Sequence, residues 1–217
     1  RILALPGWFE MNGSLLKDRN IEFQEITGDE LKKVSDLVTP NQVLAIAEIP
    51  ENSLPEPNEM KWLILALDGI RDPGNMGTII RTADWFGINE IICSSDCVDM
   101  YNPKVIQATM GSFSRVNVNY TELSHFFEAI PASIPVFGAL LEGKDLTKQT
   151  FSDPGIILIG SESHGIRDTL IPFINHPVHI PRFPHLGAMN QPESLNASIA
   201  NGIICYEICK QLLKNNF

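Results

Sequence analysis

The chain has 217 residues, of which 44% are apolar, and carries a formal net charge of −10 at pH 7. This length and apolar content fit a globular protein of one or two domains with a full hydrophobic core. The apolar runs are shorter than the roughly 18 residues of a membrane span, and no signal-peptide pattern opens the sequence. We therefore expect no membrane anchor and no secretion. The acidic charge excludes a broad basic face for polyanions, because phosphate contacts need Lys and Arg.

The acidic excess is present in both parts of the chain. Residues 1–60 hold five basic and eleven acidic side chains, and residues 61–217 hold eleven and fifteen. We therefore expect any contact with a polyanion to use a local patch or to come from sequence upstream of residue 1.

The four cysteines form two pairs, each with three intervening residues: Cys93 with Cys97, and Cys205 with Cys209. Zinc sites more often show two-residue spacing with supporting histidines. Cys93 and Cys205 lie in apolar segments, where free cysteine behaves as a small hydrophobe. We predict free thiols, no bound metal and a cytoplasmic location, because thiols persist in a reducing compartment.

The first 49 residues predict part of a small α/β unit. Residues 1–5 already have the apolar pattern of a strand, so we interpret this unit as a domain whose start is missing. Thr27-Gly-Asp-Glu30 predicts a helix start with acids in the first turn, and residues 42–48 predict a short strand.

A linker follows this unit. Residues 50–60 contain three prolines and three acids without periodicity, which is typical of a connecting segment. The predicted domains are residues 1–54 and residues 55–217.

From Lys61 onward, strands alternate with helices. The apolar run of residues 62–67 is typical of a parallel strand buried on both faces. The alternation predicts an α/β fold with a mostly parallel sheet. In chain order, the predicted elements are strand 62–67, helix 78–86, strand 90–93, a segment around 105–110, strand 115–119, helix 122–130, strand 135–141, strand 155–160, a short helix from about 167, strand 178–181 and a helix from about 194 to 213.

The first polar constellation is a glycine-rich turn after strand 62–67, with glycines at 69, 74 and 77. Such glycines let a backbone pass close to a ligand, and a helix start attracts anions. Asn75 offers a donor and an acceptor, and Arg81 offers a planar cationic fork for phosphate. An ordinary turn whose Arg81 pairs with a nearby acid would explain the spacing as well.

The second constellation is Leu-Ile-Gly-Ser-Glu-Ser-His-Gly-Ile over residues 158–166. Glu162 falls beyond the carboxyl end of a predicted strand, where ligands bind in open α/β sheets. Gly160 and Gly165 would let a ligand approach the backbone. The alternative is a surface turn with a solvated acid, and His164 is most simply a polar turn residue.

The third constellation is His-Ile-Pro-Arg at residues 179–182, followed by a long loop and the segment 192–200. Ser194 is predicted to open and cap the last helix. Asn196 would then lie in the first turn, where asparagine is a poor helix former. The Ser-x-Asn pair therefore favours a binding edge.

In this order, the three constellations resemble the three motifs of the SpoU/TrmH methyltransferases, which belong to the SPOUT superfamily. The matching residues are Asp-Pro-Gly-Asn-x-Gly-x-x-x-Arg (72–81), Gly-x-Glu-x-x-Gly (160–165) and Ser-Leu-Asn-x-Ser-x-Ala (194–200). The resemblance extends over residues 61–213.

This resemblance implies an S-adenosylmethionine-dependent enzyme that methylates a ribose 2'-hydroxyl in RNA, with ribosomal RNA favoured over transfer RNA. It implies a C-terminal trefoil knot, although chains generally do not knot, and a homodimer. Residues 1–49 would be the truncated end of a small RNA-binding domain like that of ribosomal proteins.

The resemblance also implies roles for individual residues. The mechanism of the family assigns the hydroxyl proton to the arginine that matches Arg81. Arginine is a reluctant base because its pKa exceeds about 12, so an orienting and electrostatic role is favoured over the role of base. The loop between the second and third motifs is longer than in typical members. The implied catalytic and substrate-binding residues are Asn75, Arg81, Glu162, Ser194 and Asn196, and the implied cofactor contacts are Gly160, Ile180 and Leu195.

Two other functions fit parts of the pattern. One is an RNA-binding protein that keeps the fold without the activity. The other is a nucleotide-dependent oxidoreductase, in which Asp96 would bind a ribose. The frame Gly-x-Gly-x-x-Gly that such enzymes need after the first strand is missing.

Overall fold

The computed structural model describes residues 1–16, 21–50, 54–55, 63–182 and 192–216. The chain forms two compact units, Arg1–Glu51 and Asn52–Phe217. Most of the predicted linker and most of the long loop after residue 182 lie outside the described residues. In the described part of the chain, no helix combines the length and apolarity needed to cross a membrane.

The first unit contains a small three-stranded sheet in the order β2-β1-β3. The Thr27 side chain accepts a hydrogen bond from the backbone of Glu30, whose carboxylate accepts one from Thr27 in return. This reciprocal cap confirms the helix start predicted at Thr27. The elements are β1 (Ile2–Ala4), α1 (Pro6–Asn12), β2 (Phe23–Glu25), α2 (Gly28–Val34) and β3 (Val43–Ala45).

The second unit is built on a six-stranded sheet in the order β6-β5-β4-β8-β7-β9. Every described pairing in this sheet is parallel, which confirms the predicted α/β class. The elements are β4 (Ile64–Asp68), α3 (Pro73–Trp85), β5 (Glu90–Ser94), α4 (Pro103–Thr109), β6 (Asn117–Thr121), α5 (Leu123–Glu128), β7 (Val136–Asp145), β8 (Ile156–Gly160), β9 (His176–His179) and α6 (Ala197–Asn216).

The core of this unit lies on both faces of the sheet. Side chains of a strand alternate between its faces. Leu65 and Leu67 of β4 therefore join a cluster with residues of α3 and α6, and Ile64 and Ala66 join a cluster with α5. All five residues of β4 are buried, as predicted for a parallel strand covered on two sides.

The helix after β4 begins five residues earlier than predicted. Asp72 is its N-cap and accepts a hydrogen bond from the backbone of Asn75, while Pro73 occupies the first turn. Gly77 therefore lies inside α3 and has no role in a turn. A Cβ there would lie 2.4 Å from the Cβ of Ala108. This glycine therefore lets α3 approach α4 closely.

Two other predicted helix starts are wrong. The last helix begins at Ala197 and not at Ser194, because Asn196 supplies the cap. In place of the short helix predicted from about residue 167, the structure has a single 3-10 turn at Ile171–Phe173. Pro172 lacks a backbone donor and disfavours helical backbone at the residue before it.

Candidate active site

The three sequence constellations meet at the carboxyl edge of the large sheet. Strands β4 and β8 are neighbours, and Asp68 pairs in register with Gly160 at their carboxyl ends. The loops after the two strands therefore start side by side, which is where α/β sheets bind ligands. The first turn of α6 comes to the same place.

A ring of hydrogen bonds joins one residue from each constellation. Asn75 donates through Nδ2 to Oε1 of Glu162. Asn196 donates through Nδ2 to Oδ1 of Asn75 at 2.9 Å. The backbone N–H of Ala197 donates to the same Oε1 of Glu162 at 3.3 Å, which closes the ring. Asn75, Glu162 and Asn196 form the amide–carboxylate cluster, in which Glu162 and Asn196 are exposed and Asn75 is half-buried.

Asn196 also caps α6. Its Oδ1 accepts hydrogen bonds from the backbone N–H groups of Ser198 at 3.0 Å and Ile199 at 3.3 Å, and from the Ser198 hydroxyl at 2.6 Å. Asparagine is among the best N-caps. Its place at the helix start is therefore explained by capping, a role that the sequence analysis gave to Ser194.

Two of the sequence-implied residues lie outside the ring. Arg81 is exposed on α3. Within the described residues it has no ion-pair or hydrogen-bond partner, so the pairing with a nearby acid considered from the sequence is absent there. Ser194 is exposed in the segment before α6 and lines the cavity beside the cluster.

That cavity has a volume of about 1000 Å³ and lies at the ends of β7, β8 and β9. Its size is at the upper end for small-molecule sites. Gly160, Ile180 and Leu195, the three cofactor contacts implied by the resemblance, all line it. Glu162 lines it too, so this carboxylate belongs both to the ring and to the cavity wall. The other walls are mainly apolar and include Ala139, Ile159, Val178 and Ile204.

The loop after β8 folds back tightly on itself. Ser161 and Gly165 exchange two backbone hydrogen bonds of 3.2 and 2.8 Å. A Cβ on Gly160 would lie 2.1 Å from the carbonyl carbon of Gly165, which itself has a φ of +69°. Both positions therefore require glycine, and they bring backbone close to the cavity.

A second polar cluster, missed by the sequence analysis, lies at the same edge of the sheet. Asp68 is 1% exposed and accepts a hydrogen bond from the backbone N–H of Arg167 at 2.8 Å. Arg167 Nε pairs with Asp68 Oδ1 at 2.7 Å, and the same guanidinium pairs with Asp96. Arg71 pairs with Asp96 at 2.8 Å. These four residues form the acid–arginine cluster.

The two acids of this cluster differ in their pKa shifts. Burial raises the pKa of Asp68, and this effect outweighs the hydrogen bond and charge of Arg167. Burial alone would raise the pKa of Asp96. Hydrogen bonds from Ser94, Arg71 and Arg167 outweigh burial, so the pKa of Asp96 lies below its ordinary value. Asp96 is thus an ion-pair partner here, whereas the sequence suggested it only as a ribose-binding acid.

The cysteines are free thiols, as predicted, and Cys93, Cys97 and Cys205 are buried. No group of three or more His, Cys, Asp or Glu side chains that could hold a metal occurs within the described ranges.

Comparisons with known proteins identify the family of this chain. Residues 62–206 match the SpoU rRNA Methylase family. The 23S rRNA (guanosine-2'-O-)-methyltransferase RlmB of Blochmanniella floridana is 32% identical over 208 residues, which are 90% of this chain and 79% of that protein. The 23S rRNA (guanosine(2553)-2'-O)-methyltransferase RlmP of Bacillus subtilis is 26% identical over 193 residues, covering 88% of this chain and 74% of that protein.

The fold has solved relatives as well. An AdoMet-bound rRNA methyltransferase from Sinorhizobium meliloti superimposes with a TM-score of 0.83 at 26% identity, over 97% of this chain and 79% of that one. The family match spans more than half of the sequence and contains all three motifs. The resemblance found in the motifs is therefore confirmed, and the chain belongs to the SpoU rRNA methylase family.

Proposed function

We propose that this protein transfers the methyl group of S-adenosylmethionine to a ribose 2'-hydroxyl of RNA, with ribosomal RNA as the favoured substrate. The observation that carries the proposal is the ring of Asn75, Glu162 and Asn196 beside a cavity of about 1000 Å³ that Glu162 also lines. The names of the relatives, which are rRNA 2'-O-methyltransferases, support the same reaction.

The cavity has the features that S-adenosylmethionine would need. Its apolar walls suit an adenine ring, and at Gly160 and Gly165 no side chain covers the backbone that a ligand would contact. Ile180 and Leu195 would complete the binding surface, and Leu195 is 47% exposed and thus accessible to a ligand. When bound, the cofactor supplies a methyl group activated by a positively charged sulfur.

The amide–carboxylate cluster would hold the ribose. Its two amides are neutral groups with both donors and acceptors, which suit sugar hydroxyls. Glu162 Oε1 is already shared by two donors, so its second oxygen remains for a substrate hydroxyl. Ser194, at the cavity wall, would contact the same substrate.

Arg81 would act on the nucleotide by its charge. A ribose 2'-hydroxyl lies beside a phosphate, and a planar guanidinium binds phosphate with two parallel hydrogen bonds. An arginine already bound to an acid would have to break that pair first, and Arg81 has none in the described structure. It would therefore orient the nucleotide and stabilise developing negative charge on the hydroxyl oxygen.

Three further features belong to this proposal. The first is a homodimer, supported by the exposed apolar side chains of Ile199, Ile203 and Tyr206, which share one face of α6. The second is the trefoil knot, supported by family membership and by the return of α6 to the loop after β8. The third is an RNA-binding role for residues 1–54. The free thiols fit the proposed cytoplasmic location.

The test begins with calorimetric titration of the protein with S-adenosylmethionine, followed by incubation with ribosomal RNA and nucleoside mass spectrometry. We expect binding and the appearance of a 2'-O-methylated nucleoside. RNA extracted from cells that lack the protein should identify the nucleotide, and an oligonucleotide with 2'-deoxyribose there is the matched control. If no binding is detected at millimolar cofactor, the proposed methyltransferase activity is excluded. Binding without transfer to any RNA would favour an inactive RNA-binding protein.

A further inference from the structure

The acid–arginine cluster has no part in the proposed chemistry. Its Arg167 nevertheless lies in the same loop as Glu162, which belongs to the proposed site. Residues 161–167 follow β8, with Glu162 near one end and Arg167 at the other. Asp68, which binds both the backbone and the side chain of Arg167, is the last residue of β4. The loop is thus attached through β8 at its start and through Arg167 at its end.

Three loops meet within contact distance at Gly69, which has a φ of +70°. A Cβ there would lie 3.6 Å from Asp96, 3.8 Å from Ser161 and 3.9 Å from Arg167. The backbone N–H of Gly69 donates to Ser94 Oγ at 2.9 Å, and that hydroxyl donates to Asp96 at 2.7 Å. The loops after β4, β5 and β8 are therefore joined at one point.

Apart from the hydrogen bonds of Glu162 in the ring, the loop that carries it has few other anchors. Residues 162–165 are exposed, and the backbone pairing of Ser161 with Gly165 is internal to the loop. Only Ile166 is buried before the chain reaches Arg167. The ion pairs of Arg167 consequently determine where the end of this loop lies.

Asp96 also connects this loop to the first motif. Arg71 pairs with Asp96 and directly precedes Asp72, which caps α3 and binds the backbone of Asn75. One carboxylate is therefore bound to both segments whose side chains meet in the ring.

We propose that Arg167 is a positioning residue for methyl transfer: by pairing with both Asp68 and Asp96 it fixes loop 161–167, so that Glu162 meets Asn75 and the loop keeps its shape at the cavity. This inference rests on the proposed function, because the effect on catalysis requires that Glu162 takes part. Arg167 itself is assigned no contact with the substrate or the cofactor.

The experiment compares Arg167→Met with Arg115→Met in the full chain. Arg115 forms an exposed pair with Asp84, 2.6 Å at its shortest, and serves as the matched control. The measurements are kcat and KM at saturating cofactor, the calorimetric Kd of S-adenosylhomocysteine, and amide hydrogen exchange over residues 159–166. For Arg167→Met we expect kcat to fall about 10- to 100-fold, since small displacements of reacting groups have such effects.

The affinity for S-adenosylhomocysteine should fall too, and exchange in the loop should be faster. The control should match the parent in all three measurements. Arg167→Lys should recover part of kcat, because lysine keeps the charge but lacks the planar fork that reaches two carboxylates. A purely stabilising role would lower the melting temperature and leave kcat of the folded protein unchanged.

The proposal is overturned if folded Arg167→Met keeps the parental kcat, affinity and loop exchange. If that variant does not fold, Asp96→Asn replaces it, since it nearly keeps the shape of the side chain but removes the shared charge and one of the two acceptor oxygens. Parental kcat and loop exchange in Asp96→Asn would overturn the proposal equally. If the parent itself binds no cofactor, the proposed function fails, and hydrogen exchange still decides whether Arg167 fixes the loop.

Discussion

Two polar clusters lie at the same edge of the same sheet and differ in almost every physical respect. The amide–carboxylate cluster is largely exposed, contains a single charge and is held by hydrogen bonds between Asn75, Glu162 and Asn196. The acid–arginine cluster contains four charges paired with one another, around an Asp68 that is 1% exposed.

The difference follows from solvation. A buried carboxylate needs a bound partner because an uncompensated charge in the interior is very unfavourable. Exposed amides and carboxylates keep their spare donors and acceptors accessible to a ligand. One cluster thus has the properties of a binding surface, and the other those of a support. Three predictions test this division.

The largest effect is expected from removing the charge of Arg81. Arg81→Ala should lower kcat for RNA methylation by at least about 100-fold, as losses of preorganised charge stabilisation do. The Kd of S-adenosylmethionine, measured by calorimetry, should stay within about twofold of the parent, because Arg81 does not line the cavity. Equal turnover by the variant and the parent would rule out this role of Arg81.

An intermediate effect concerns stability. Arg167→Met should lower the free energy of unfolding by about 2–3 kcal/mol, less than the roughly 3–5 kcal/mol for a fully buried pair, because Arg167 is 43% exposed. Asn75→Ala should lower it by about 1 kcal/mol or less, because Asn75 is half-buried and its hydrogen bonds join exposed partners. Denaturant unfolding monitored by circular dichroism measures both. Similar losses in the two variants would abolish the contrast between support and binding surface.

The smallest effect is a pH dependence. The pKa of Asp96 is lowered in the folded protein. Its ion pairs therefore stabilise the fold fully at pH values above the pKa of aspartate in the unfolded chain, which is about 3.9. That contribution is lost as the pH falls through the folded pKa. Between pH values of about 5 and 3, Asp96→Asn should therefore lose less stability than the parent.

We expect this difference to be about 1 kcal/mol, since solvent reaches Asp96 and weakens its ion pairs. Unfolding curves at the two pH values measure it. Asp68 is present in both proteins, so its opposite shift mostly cancels. Parallel pH profiles would show that the pairs of Asp96 are too weak to support the site.

Local patterns predicted much of the fold. The apolar run of β4, the alternation of strands with helices and the cap at Thr27 depend on neighbouring residues alone, and all three predictions are confirmed. The start of α3 could have been read correctly, because Asp72-Pro73 is a typical N-cap followed by a first-turn proline. The glycines of that segment were instead attributed to a turn.

The support cluster could not have been predicted in the same way. Arg167 is 99 residues from Asp68 and 71 residues from Asp96 in the sequence. Which acid an arginine meets is decided by the strand order, and no local pattern specifies β8 as the neighbour of β4. The sequence predicted the residues of the ring as members of the motifs. It could not predict their contacts, because these also depend on β4 lying next to β8. Their roles in catalysis stay predictions.

The cap of α6 determines which groups of the ring donate hydrogen bonds and which accept them. Because Asn196 Oδ1 is bound by the helix N–H groups, only its Nδ2 can face Asn75. Asn75 must then turn its own oxygen toward Asn196 and its nitrogen toward Glu162. Aspartate at 196 would cap the helix equally well, but it could not donate to Asn75, and serine would cap it with a side chain too short to reach. Neither amide can therefore flip independently. The start of α6 fixes the orientation of Asn196, which in turn fixes the amide of Asn75 and the donor that faces Glu162.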